Sequence, residues 1–237
     1  MNLIKEKWTN EDKIDFQNFL KEQANTKQKC EWTQRIVNTK LPCLAIPSKE
    51  ISEIALKISK GNFLSFIDLW LWENHENTII LGSLICKHKD FEQTKHYLTK
   101  YSLMADNWST IDGIKFKFSN ENKSKYINFA KQLSKSDHPF QRRLSLIICL
   151  KLCKDQEFLS NIFKISNSFE SENEYYVNMA NAWLLCELFI QHKNETLKFL
   201  SNNRLNNFTI NKMISKCYDS YRISSDDKQF LKTLKRK

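Results

Sequence analysis

Three glycines and three prolines in 237 residues set the tightest limit on what this chain can fold into. Hairpins, barrel corners and sandwich loops draw on glycine for positive φ and on proline for a fixed φ. A chain poor in both must turn by other means, and the economical solution is helices joined by short polar loops and capped by Ser, Thr, Asn and Asp. With 41% hydrophobic and 27% charged residues, the chain carries enough apolar material for a folded core, which argues against a disordered protein.

Apolar residues recur at helical spacing along the chain. TNEDKIDFQNFLKEQA places Thr9 as a cap, acids in the first turn and Ile14, Phe16, Phe19 and Leu20 on one buried stripe. SKEISEIALKIS repeats the logic, with Ser48 capping and Ile51, Ile54, Ala55 and Ile58 facing inward; Gly61 ends that helix and Asn62 starts the next. Comparable segments follow from ENTIILGSLICK through NEYYVNMANAWLLCELFIQH to SDDKQFLKTLK, with connections of only a few residues. The expected fold is all-α: an α-solenoid of HEAT-like helical repeats with a concave basic groove, forming a single domain over residues 1–237. A compact helical bundle is the competing architecture.

The 37 Lys and Arg against 27 Asp and Glu give a formal charge of +10, which favours encounter with polyanions such as duplex DNA. The seven cysteines, at 30, 43, 86, 149, 153, 186 and 217, are scattered and lack a paired-histidine or Cys-x-x-Cys arrangement, so reduced, buried thiols are expected rather than disulfides or a metal site. No stretch reaches the ~18 apolar residues of a membrane span, and the first residues, MNLIKEKWTNEDK, lack the apolar run of a signal peptide. A cytoplasmic protein without membrane association is expected. The phosphate-binding glycine loops, the HExxH metal motif and the GxSxG nucleophile elbow are all missing.

Four features could carry chemistry. In ADNWSTIDGIKF, Trp108 and Asp112 are four apart, capped by Asp106 or Asn107. One reading is a core indole beside a helix-start acid; the other is a pocket in which an aromatic holds a cation and a carboxylate stabilises developing positive charge. Arg142 and Arg143 open an apolar helix, where the dipole disfavours cations and so invites an anion. YYVNMANAWLL carries Trp183 beside the small Ala180 and Ala182, leaving room for approach. The tail from Asn211 to Lys237, with Lys212 and Arg222 among eight cations, is the densest basic region and suits phosphate contacts as well as it suits a solvated helix.

In order and spacing, DNWSTID (106–112), FQRRLSLI (140–147), YYVNMANAWLL (175–185) and NKMISKCYDSYRIS (211–224) resemble the AlkD-like DNA alkylation repair family, and the resemblance runs from about residue 36 to the end. It implies a glycosylase that excises cationic alkylated purines, N3-methyladenine and N7-methylguanine, from duplex DNA without flipping the base and with no metal or organic cofactor; a monomer is expected. Asp112 would be the catalytic carboxylate, Trp108 and Trp183 the aromatic pocket walls, and Arg143, with Arg142 beside it, a DNA contact near the lesion. The same family includes members that keep the fold without glycosylase activity, so an inactive DNA-binding protein recognising damaged or unusual DNA is the alternative. Two departures from the family pattern stand out. LPCLAIPSKEISEIA lacks the family's glycine and following arginine, and Ile111 stands where many relatives have cysteine.

Overall fold

The computed structural model describes residues 1–237, and it contains helices and no strands. Two compact units divide it, Met1–Phe118 and Ser119–Lys237. The first holds α1 (Asp12–Glu22), α2 (Lys27–Val37), α3 (Ser48–Ile58), α4 (Phe63–Leu69), α5 (His75–Ile85), α6 (Phe91–Met104) and α7 (Trp108–Asp112). The second holds α8 (Lys123–Leu133), α9 (Pro139–Leu152), a 3₁₀ turn at Gln156–Phe158, α10 (Leu159–Asn167), α11 (Tyr175–Gln191), α12 (Lys193–Asn202), α13 (Asn207–Asp219) and α14 (Ser225–Thr233). Within each unit helices pack on near neighbours in sequence, as in a helical-repeat solenoid.

The chain starts its helices with polar caps, as the shortage of glycine and proline requires. Asn62, Asn74, Asp90, Asn107, Asn206 and Ser224 each accept a hydrogen bond from a first-turn backbone N–H. At α3 the cap position is Pro47, and Ser48 is the first helical residue with no capping bond. The four inward residues of α3, Ile51, Ile54, Ala55 and Ile58, are buried as their spacing predicts. In α1 the stripe is narrower than expected. Phe16 and Leu20 are buried, Phe16 against Trp8 and Phe66, whereas Ile14 is 69% exposed. At 100° per residue, Ile14 lies on the far side of the helix from Phe16. Helix α2 escapes a pattern search because it buries only Val37, leaving Trp32 and Ile36 exposed.

Helix α5 is the hub of the first unit, packing on α3, α4, α6 and α7. Ten of its eleven residues are buried, polar ones included. Gly82 is required there by close approach: a Cβ would sit 2.6 Å from the Tyr101 hydroxyl of α6. That hydroxyl cannot retreat, since Tyr101 is fully buried and donates to the Thr78 carbonyl at 2.7 Å and lies 3.2 Å from that of Thr110. Gly82→Ala is therefore expected to destabilise the protein by about 1–3 kcal/mol, despite alanine's better helix propensity. Tyr101→Phe in the same background should recover part of the loss, as read by urea unfolding.

In the second unit α9, α11 and α13 pack successively on one another. Helix α8 lies on α9, α12 on α11, and α10 packs on both α8 and α9. The long apolar α9 and α11 are buried over most of their length, which is why their sequences carry little amphipathic contrast.

Candidate active site

Helix α7 is short, and its position is fixed from three sides. Asn107 caps it, accepting from Thr110 N at 2.9 Å while its amide donates to Asp106 and to the Thr110 hydroxyl. Asp106 ties the cap to the loop after α2, accepting from Thr39 Oγ1 at 2.8 Å and from Lys40 N at 2.7 Å. From α5, Thr78 Oγ1 meets Thr110 Oγ1 at 3.1 Å and His75 Nε2 meets Ser109 Oγ at 3.3 Å. Ile111 is fully buried and anchors the inner face. Trp108, Ser109 and Asp112 are half-buried, and Ser109 is the one turned to His75. The Trp108 indole N–H points to the Ile36 carbonyl at 3.4 Å, so the ring is held by the end of α2.

The helix-start role read for Asp112 does not hold in this geometry. The helix has only five residues, so Asp112 ends it rather than starts it. A carboxylate there does not complement the N-terminal dipole. Nor is Trp108 a sealed core anchor.

Two features of the turn before α3 carry no recognisable motif. Ala45 adopts φ 53°, the left-handed conformation that a glycine would take at no cost. The turn around it is held by Glu76 of α5, which is buried and accepts from Leu44 N at 2.9 Å, with the Ala45 and Ile46 amides also turned on it. Burial outweighs these bonds and raises the Glu76 carboxyl above its usual range. Beside it, burial pushes the His75 imidazole down from 6.5 to about 4, against the opposing pull of Asp106.

His75 is therefore neutral in the folded protein at pH 5–6, where the unfolded chain would bind a proton. The sign follows: its contribution is complete above pH 6.5 and is lost as pH falls toward 4, to a maximum of about 3 kcal/mol. Glu76, whose shift has the opposite sense, offsets part of this. Urea unfolding at a series of pH values should show stability declining from pH 6.5 downward, and His75→Gln should flatten that slope.

The second unit holds the other candidates. Arg142 finds its anion inside the protein: Nε donates to Glu172 Oε2 at 2.6 Å, Nη2 to Oε1 at 3.1 Å, and Nη1 to the carbonyls of Ser136 and Asp137. Arg143 is 5% exposed and donates to the Tyr176 carbonyl at the start of α11. Arg222 is paired through both guanidinium nitrogens with Glu187. Lys212 stays exposed, its ammonium 5.6 Å from the Phe208 ring centroid. Phe208 in turn lies 5.9 Å from half-exposed Tyr175. Trp183 is half-buried in the middle of α11. The room expected beside it is not there: Ala180 and Ala182 are buried and allow close packing of α11 on its neighbours. Arg143, Trp183 and Lys212 thus lie on the successive helices α9, α11 and α13.

A family model described as DNA alkylation repair enzyme matches residues 16–216. The chain belongs to the DNA alkylation repair enzyme family. No curated protein matches it significantly. Membership assigns this DNA alkylation repair protein a DNA repair role and makes DNA its partner. No group of three or more His, Cys, Asp and Glu side chains could hold a metal ion, and no helix is long and apolar enough to cross a membrane. All seven cysteines are unbridged, and six of them are buried.

Proposed function

We propose that the protein is an alkylpurine DNA glycosylase, hydrolysing the N-glycosidic bond of cationic bases such as N7-methylguanine and N3-methyladenine in duplex DNA. The observation that carries this reading is α7, a capped five-residue helix that carries a half-buried indole at its start and a half-buried carboxylate at its end. The fit is chemical. A methylated purine already carries positive charge, so it leaves as a neutral base without a general acid. As the C1′–N bond breaks, its electron pair stays with the base and positive charge builds on the deoxyribose. The Asp112 carboxylate stabilises that charge and orients the water whose oxygen bonds to C1′ as its proton departs.

Trp108 offers the same cation an aromatic face, worth roughly 0.5–2 kcal/mol depending on desolvation. In the second unit, exposed Lys212 is suited to a phosphate, and half-buried Trp183 offers another indole for the DNA. Arg143 acts through the Tyr176 carbonyl, holding the start of α11 against α9. Arg142 and Arg222 can reach DNA only by sharing with, or leaving, Glu172 and Glu187. No step in this chemistry calls for a metal or an organic cofactor.

The test is base release. Incubating the protein with duplex DNA containing a single N7-methylguanine should give free base and an abasic site that alkali cleaves. Salt-sensitive binding of the same duplex with no base released would replace this reading with the inactive DNA-binding one.

A further inference from the structure

With a lining drawn from α8, α10 and the turns that follow them, the second unit contains a cavity of about 400 Å³ along the groove between these two helices. Its floor is apolar, formed by buried Ile127 of α8 and Ile165 of α10. Three lysines surround the floor: Lys131, Lys135 and Lys164. No carboxylate lines the cavity, and none of the three ammonium groups is paired within the chain. Asn128 and Asn161 also face it, and neither amide is hydrogen-bonded to the protein.

Lys131 and Lys164 lie in the last turns of their helices, where a cation complements the dipole. That role does not explain the cluster. Lys135 lies beyond the end of α8, and hydroxyls already answer part of the carbonyl field at both ends. Ser134 Oγ donates to the Lys131 carbonyl at 3.0 Å, and Ser168 Oγ donates to that of Ile165 at 2.7 Å. Three like charges around one concavity repel one another, and an anion with two negative charges relieves that repulsion.

We propose that this cavity is a binding site for an organic phosphate of nucleotide size. Its phosphoryl group sits among Lys131, Lys135 and Lys164, and its organic part lies on Ile127 and Ile165. Asn128 and Asn161 supply the donor and acceptor pairs that fix the orientation of that part. The volume is in the range of small-molecule sites. A groove with an apolar floor and exposed lysines at its rim suits a ligand with both an organic part and a phosphate better than a phosphate backbone alone, which offers that floor nothing to cover it. The site does not depend on the glycosylase reading, because its residues belong to α8, α10 and the turns that follow them.

The probe is 2′-deoxyadenosine 5′-monophosphate, titrated calorimetrically into the full chain at low salt, with inorganic phosphate and deoxyadenosine as separate arms. Saturable one-to-one binding of the nucleotide is expected, at least tenfold tighter than either component. The Lys131→Gln/Lys164→Gln double variant should weaken it at least tenfold. Lys135→Gln, which leaves both helices unaltered, should weaken it severalfold, and Lys57→Gln should not change it. Base release from methylated DNA should be the same in all these proteins. Absence of saturable nucleotide binding in the wild type would overturn the proposal. So would equal affinity in the double variant, or complete displacement of the nucleotide by a short unmodified duplex, which would make the lysines part of a DNA track instead.

Discussion

Asp112→Asn should lower the rate of base release from an N7-methylguanine duplex by about 10²-fold or more, with duplex affinity changed by less than about threefold. The two parts of that expectation come from one argument. A carboxylate that acts on charge developed during bond cleavage contributes to the transition state and little to the ground state, so its loss appears in the single-turnover rate and not in binding. Asparagine preserves the shape and removes the charge. In the variant α7 keeps the Asn107 cap, the Thr78–Thr110 contact and buried Ile111. An unchanged melting temperature would confirm that. Trp108→Ala provides the contrast. Losing an aromatic face worth roughly 0.5–2 kcal/mol predicts a decrease of about 2- to 30-fold, and it should be greater on cationic lesions than on an uncharged substrate. Equal base release by wild type and Asp112→Asn would remove Asp112 from the mechanism.

The helical class was legible because scarce glycine and proline leave few other ways to turn, and because α3 shows its four buried residues at helical spacing. Where burial is nearly complete or nearly absent, periodicity carries less. Helix α5 buries polar and apolar residues alike, and α2 buries one residue, so neither presents a clear stripe. The pairing of Trp108 with Asp112 could be read from a four-residue spacing. What holds the pair in place could not. Asp106 reaches back to Thr39 and Lys40, and His75 reaches forward to Ser109, over separations that no local pattern encodes. The arginines show the same limit from the other side. Arg142, a cation at the start of an apolar helix, invites a partner anion by its position, and within the chain Glu172, thirty positions on, pairs with it. Ala45 is a third case. No glycine marks the turn at Ala45, yet alanine takes up the left-handed φ there, and the surrounding amides are held by Glu76.

The pairing of Arg142 with Glu172 leads to the largest stability effect expected in the second unit. Glu172 is 9% exposed, and besides the two guanidinium bonds it accepts from the backbone N–H groups of Asn173 and Glu174 just before α11. Removing it by Glu172→Ala leaves a largely buried guanidinium with only the Ser136 and Asp137 carbonyls, and frees the turn that starts the helix. Breaking one side of a buried pair costs about 3–5 kcal/mol, and the residual carbonyl bonds put this case toward the lower figure. For a protein of this size that corresponds to a fall of roughly 10 °C in melting temperature. Arg142→Ala should cost less, because Glu172 keeps its two amide donors, whereas the guanidinium in Glu172→Ala keeps no anion. The double variant Arg142→Met/Glu172→Ala should be less destabilised than the sum of the two single changes, since it buries no unpaired charge. Additive losses would show instead that the pair is solvent-screened and that the turn before α11 is held by its backbone alone.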